Sequence, residues 1–153
     1  MANTYSQIYI QVVFAVQGRP NLIQKKNKEE LHKYMTGIVR EREQKLLAVH
    51  CMADHTHLLV GLKPSIALSD LVRDVKNGST NFINRNGWTV GWFCWQEGFG
   101  AFSYGHSQLK GVMDCIRDQE RHHARRSFAD EYLRFLKKYE IEHDEKYIFK
   151  PLD

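Results

Sequence analysis

His55 and His57, separated by Thr56, are the residues in this sequence best placed to share a metal ion. On a β-strand, residues two apart point the same way, so the two imidazoles would stand roughly 6.5–7 Å apart at Cα and could converge on one cation. Leu58, Val60 and Leu62 fall on the opposite side with Thr56. The pattern therefore predicts that the histidines lie on the polar, solvent-reachable side of a half-buried strand. Asp54, just before the pair, is placed to orient one ring by a hydrogen bond, a common support for metal-binding histidine. Spacing alone leaves the plainer alternative open: two exposed or hydrogen-bonded histidines with no ion. Two ligands do not complete a site, and a predicted third helix offers Gln119. Cys115 and Gln119 are i and i+4, hence on one helix face. The alternative there is a surface glutamine and a small core cysteine.

The elements that must position these residues can be read from periodicity. Tyr5 to Val16 alternates as a strand, stopped by Gly18-Arg19-Pro20. Asn27 to Gln44 reads as a helix, with Leu31, Tyr34, Met35, Ile38 and Val39 on one face. Leu46 to Met52 and His55 to Leu62 read as two strands joined by the tight Ala53-Asp54 link. Leu68 to Ile83 is a second predicted helix, with Ser65 or Ser69 as cap. The aromatic-rich stretch Trp88 to Tyr104 reads as strand-like pieces interrupted by Gly91, Gly98 and Gly100. Ser107 caps a third helix running from Gln108 to about His123, and Ser127 caps a fourth from Phe128 to Tyr139. The order predicts an α+β fold, a βαββαβ ferredoxin-like antiparallel sheet with helices on one face plus C-terminal helices. The other sheet face is expected to be open for a ligand or a partner.

The 153 residues fit a single domain, 1–153. Three cysteines, Cys51, Cys94 and Cys115, are odd in number and widely spaced, which argues against a disulfide framework and for a reducing, cytoplasmic setting. No apolar run approaches membrane-spanning length. A net charge of +4 is a weak pointer to a polyanionic partner. The distribution says more: Arg117, Arg121, His122, His123, Arg125 and Arg126 crowd one segment, against Asp118 and Glu120, whereas the tail around Glu140 to Glu145 is acidic. A solvated helix face is the plain reading of that crowd. Arg73 and Lys76 on the second helix, with Arg117 and Arg121 on the third, are the candidates to track phosphates. The aromatics between Trp88 and Tyr104 are expected mainly in the core or an interface, with base stacking as the alternative.

The run Met52-Ala53-Asp54-His55-Thr56-His57-Leu58-Leu59-Val60 resembles the His-hydrophobe-His motif of the single-tyrosine HUH transposases of bacterial insertion sequences, the IS200-like type. The opening strand, Leu68 to Lys76, Trp95 to Ser103 and Ile116 to His123 resemble the same family in the same order. The resemblance implies a homodimeric, ferredoxin-like enzyme of DNA transposition that binds hairpins in single-stranded DNA. It implies Mg²⁺ or Mn²⁺ held by His55, His57 and Gln119, and cleavage through a 5′-phosphotyrosine intermediate. Imidazole ligation makes Mn²⁺ as suitable as Mg²⁺, which prefers oxygen shells.

The chain departs from that family at the position of the nucleophile. The nucleophilic tyrosine lies four residues before the glutamine, and here that residue is Cys115. Three readings follow: a DNA-binding relative that holds metal without cutting, a thiolate nucleophile at Cys115, or service by another tyrosine, of which Tyr104 is nearest. Reach weighs against the thiolate. A tyrosine hydroxyl extends roughly 6.5 Å from Cα and a cysteine sulfur about 3 Å, while a misplacement of about 1 Å can slow a reaction about 10²-fold.

Overall fold

The computed structural model describes residues 3–18, 22–123 and 127–144. Arg19, Pro20, Arg125, Arg126 and Glu145, invoked above, lie outside the described residues, as do the side chains of His122 and His123.

Alternation in the opening segment builds β1, Tyr9–Ala15, and the hairpin arms are β2, Lys45–Cys51, and β3, His55–Gly61. The last strand is β4, Gly100–Tyr104. All neighbours are antiparallel in the order β2-β3-β1-β4, the ferredoxin-like arrangement. The helices are α1, Lys28–Glu41, and α2, Leu68–Asn86, followed by α3, Leu109–Arg117, α4, Gln119–His123, and α5, Phe128–Lys138. Among the described residues, no helix is long and apolar enough to cross a membrane.

One sheet face carries Val12, Phe14, Leu58 and Val60 and packs on Leu31, Met35 and Val39 of α1 and Leu71, Val72, Val75 and Ile83 of α2. These are the apolar positions of two amphipathic helices, as their 3.6-residue spacing requires. Gly87 ends α2 in the left-handed region, φ 62°, a conformation that glycine adopts without Cβ strain.

The opposite face is not open. Val13 and Phe102 pack against Tyr132 and Leu136 of α5, and Ala48 and Leu59 against Ile116 of α3. The sheet is therefore covered on both sides, contrary to the open face expected from the sequence. The reason lies in the strands: β3 is buried on both faces from His55 to Val60, so its alternation does not separate core from solvent. An isolated helix of α5's 11 residues would be marginal in water. Burial of Tyr132 and Leu136, on the order of 1.5–3 kcal/mol for a fully buried large apolar side chain, holds it in place. Ser127 accepts a hydrogen bond from the Asp130 amide at 3.2 Å, the cap expected for this helix. Gly100 lets α5 come close, since a Cβ there would lie 2.8 Å from the Tyr132 ring.

Two further segments depart from the sequence reading. The stretch 88–99 forms no strand beyond one bridge, Val16 to Trp95, and is held by side chains instead. Asn84 brackets Phe93 through both its amide groups, and Trp95 donates to the buried Ser79 hydroxyl at 2.9 Å. The third helix stops at Asp118 and restarts at Gln119. Aspartate favours turns over helix interiors because its side chain competes for nearby backbone groups.

His32 couples α1 to β2 by accepting the Cys51 amide on Nε2 at 2.9 Å, which requires that nitrogen to be unprotonated. Burial first, then His50 and Lys28, lowers its pKa from 6.5 to about 4. A depressed histidine pKa contributes stability that is fully present above about pH 6.5 and is lost as pH falls toward 4. Allowing for partial solvent screening, urea titrations at pH 7 and pH 5 are expected to differ by about 1 kcal/mol, with His32→Gln flattening the difference.

Candidate metal centre and cleft

β3 begins at His55, and its two-residue period brings His55 and His57 to the sheet face covered by α3 and α5. Both rings are 0% exposed, so the solvent-reachable placement expected from the sequence is overturned. Phe128 of α5 stacks on His55 at 4.1 Å between ring centroids, and Phe135 lies tilted near His57. Between these two aromatics on α5 sits Glu131. Its Oε1 is 3.0 Å from His57 Nε2. The ligand atoms of His55, His57 and Glu131 all lie within 4.8 Å of one another. Two imidazoles and a carboxylate at that separation are a donor set that fits one divalent cation.

Each histidine has a partner on its other nitrogen. His55 Nδ1 is 2.6 Å from Asp54 Oδ1, the contact for which Asp54 was singled out. Donation from Nδ1 to that carboxylate turns Nε2 into the ligating atom. His57 Nδ1 meets Gln11 Nε2 at 2.9 Å, and Gln11 Oε1 accepts from Tyr104 at 2.8 Å. With the Gln11 amide as donor, Nδ1 is the acceptor, and Nε2 is a buried atom without a hydrogen bond among the described residues, 3.0 Å from Glu131 Oε1. A cation taking that position requires the proton on Nδ1 and the Gln11 amide turned over, oxygen toward the ring.

Beside the histidines a cleft of about 420 Å³ opens between α3 and α5, with Gln11 and Tyr104 among its lining residues. Cys115 and Gln119 line it from one side and Glu131, Arg134, Phe135 and Lys138 from the other. Gln119 is buried at 4%, and its Nε2 donates to the Cys115 carbonyl at 3.1 Å. The donor end of the amide is thus on the helix, and the oxygen is the end a cation would take. Lys28, nearly buried, holds Glu120 at 3.0 Å and so pins α4, with Gln119 at its start, to the beginning of α1. Cys115 is exposed to the cleft. Tyr104 shares the cleft, but burial and the adjacent Tyr139 push its pKa well above the usual phenol range.

Residues 4–119 match the family described as "Transposase IS200 like". The chain belongs to this family of transposases. No curated protein matches the chain. Two solved structures share the transposase's fold. A candidate transposase from Deinococcus radiodurans R1 has a TM-score of 0.58 at 17% identity, over 78% of this chain and 95% of that one. A REP-associated tyrosine transposase bound to a REP hairpin has a TM-score of 0.60 at 14% identity, over 100% of this chain and 93% of that one.

The phosphate-tracking candidates of this transposase are scattered. Arg73 is exposed and paired with Asp70 and Asp74. Lys76 donates to the carbonyls of Gln96 and Gly98, at 2.9 and 2.6 Å, and lies over the Phe14 ring, tying the 88–99 stretch to α2. Arg117 and Arg121 are exposed on α3 and α4 and form no ion pair among the described residues. Sequence reasoning missed Glu131, which lies beyond the matched segment. Its signal was an acid at the centre of the Phe128 to Phe135 stripe, where the helical period calls for an apolar residue.

Proposed function

We propose that this transposase binds hairpin-bearing single-stranded DNA and holds Mg²⁺ or Mn²⁺ between His55, His57, Gln119 and Glu131, but lacks an efficient nucleophile. The observation that carries the reading is the buried His55–His57 pair meeting the Glu131 carboxylate at the wall of an open cleft. A divalent cation there supplies Lewis-acid polarisation of a phosphodiester oxygen. The residues do the rest: Asp54 and Gln11 fix the two imidazoles, α5 excludes water from them, and Lys28 holds Gln119 through Glu120. The hairpin bound to the REP-associated relative supports hairpin DNA as the ligand class. Pairing through an edge strand, β2 or β4, is the simplest route to the dimer that the family resemblance implies.

Cys115 is too short to replace a tyrosine without a bodily shift of α3. Tyr104 is no better, because its hydroxyl donates to Gln11 and its pKa is raised by burial. The test is incubation with a DNA hairpin carrying single-stranded flanks, with and without Mn²⁺. Specific binding with little or no cutting is expected. Efficient Mn²⁺-dependent cutting by the unaltered chain would refute the missing-nucleophile reading, and absence of binding would refute the whole.

Gln11 gives a separate check on the histidine geometry. Gln11→Leu is expected to weaken Mn²⁺ binding about 10- to 100-fold by calorimetry, the usual effect of losing such a support. Gln11→Glu, which can only accept from Nδ1–H, is expected to restore it.

A further inference from the structure

We propose that Arg134 and Lys138 of α5 form a phosphate-binding wall that seats a single DNA strand across Cys115. The inference rests on the single-strand reading above and names where in the cleft the strand lies. The two residues are i and i+4, about 6 Å apart along the helix, on the side that also carries Glu131. Both line the cleft opposite Cys115 and Gln119. Both are exposed, and neither has an ion-pair partner among the described residues. Of the other described cations, Lys28 is held by Glu120, Arg42 by Asp74, Arg73 by Asp70 and Asp74, and Lys76 by two carbonyls, while Arg117 and Arg121 are unpaired but do not line this cleft; Lys138 also lies over the Tyr139 ring. Among the described residues, Glu131 is the one carboxylate lining the cleft, and it is turned to His57. Outward along α5 the wall is therefore positive, and inward lies the ligand cluster. That gradient suits a strand whose scissile phosphate sits at the cation and whose neighbouring phosphates meet Arg134 and Lys138. Arginine adds forked donors matched to phosphate oxygens, lysine a mobile point charge.

The test uses the whole chain and oligo-dT, because phosphate contacts carry no sequence information. Binding is followed by fluorescence anisotropy against salt, and the cleft by the rate at which Cys115 is alkylated. Bound oligo-dT is expected to slow alkylation of Cys115 about ten-fold. In Arg134→Gln/Lys138→Gln that protection is expected to vanish, and the slope of log affinity against log salt to fall by about 1.4. Mn²⁺ affinity is expected to stay unchanged, which reports that α5 is still docked. Arg134→Lys/Lys138→Arg is expected to keep both protection and slope. Equal protection and slope in the glutamine variant and the unaltered chain would overturn the proposal. If the unaltered chain binds Mn²⁺ but not oligo-dT, the wall is refuted while the metal centre stands. If it binds neither, the functional reading falls with it.

Discussion

Cys115→Tyr is expected to turn a strand-binding protein into a strand-cutting one, raising Mn²⁺-dependent covalent attachment to a hairpin substrate by at least about 10²-fold. Room for the larger side chain exists, since Cys115 is exposed to a cleft of about 420 Å³. The backbone around it is already constrained by Gln119, which donates to the Cys115 carbonyl, and by Ile116, buried against Ala48 and Leu59. A phenol on this turn would therefore start from a fixed Cα, and its added reach of roughly 3.5 Å is the difference between the two side chains. A stable protein–DNA adduct on denaturing gels, present in Cys115→Tyr and absent in Cys115→Ser, is the readout. Adduct formation by Cys115→Ser or the unaltered chain at a rate matching the tyrosine variant would show that reach is not what limits cutting.

Much of this site was legible in the amino-acid order, for reasons particular to each part. The two-residue period of β3 and the tight Ala53-Asp54 link placed His55 and His57 side by side, and Asp54 fell within reach of a ring because it adjoins it in sequence. Helical spacing put Cys115 and Gln119 together, and they do share a cleft. What local pattern could not give was the cover. Whether β3's second face meets water or a helix depends on where α5 docks, which is decided by contacts such as Phe102 with Phe135 and Tyr132 across the chain. Glu131 joins the histidines only through that docking. Gln11 looked like an ordinary polar residue of an alternating strand, yet the β1–β3 register, Val13 opposite His57, puts it next to the ring on the same face. The 88–99 stretch misled because its aromatics suit strands, while Asn84 and Ser79 on α2 anchor it without a ladder.

The second large effect is expected at Glu131. Replacing it by glutamine removes the carboxylate of the cluster and leaves the two imidazoles and the Gln119 amide, so Mn²⁺ affinity is expected to fall about 10²-fold, the upper end of what loss of a supporting group does. Gln119→Ala removes a neutral oxygen and is expected to weaken binding less, about ten-fold. Neither change touches the apolar contacts of Tyr132 and Leu136 that dock α5, so thermal stability without metal is expected to hold. If Glu131→Gln bound Mn²⁺ undiminished while Gln119→Ala did not, the oxygen ligand would come from α4 and not from α5.

The most direct measurement is a calorimetric titration of Mn²⁺ into the unaltered chain, His55→Ala, His57→Ala and Cys115→Ala. One ion per chain is expected for the unaltered protein and Cys115→Ala, and none for either histidine variant. Equal binding by all four, or no binding by the unaltered chain, would contradict a divalent-metal centre built on the buried histidine pair.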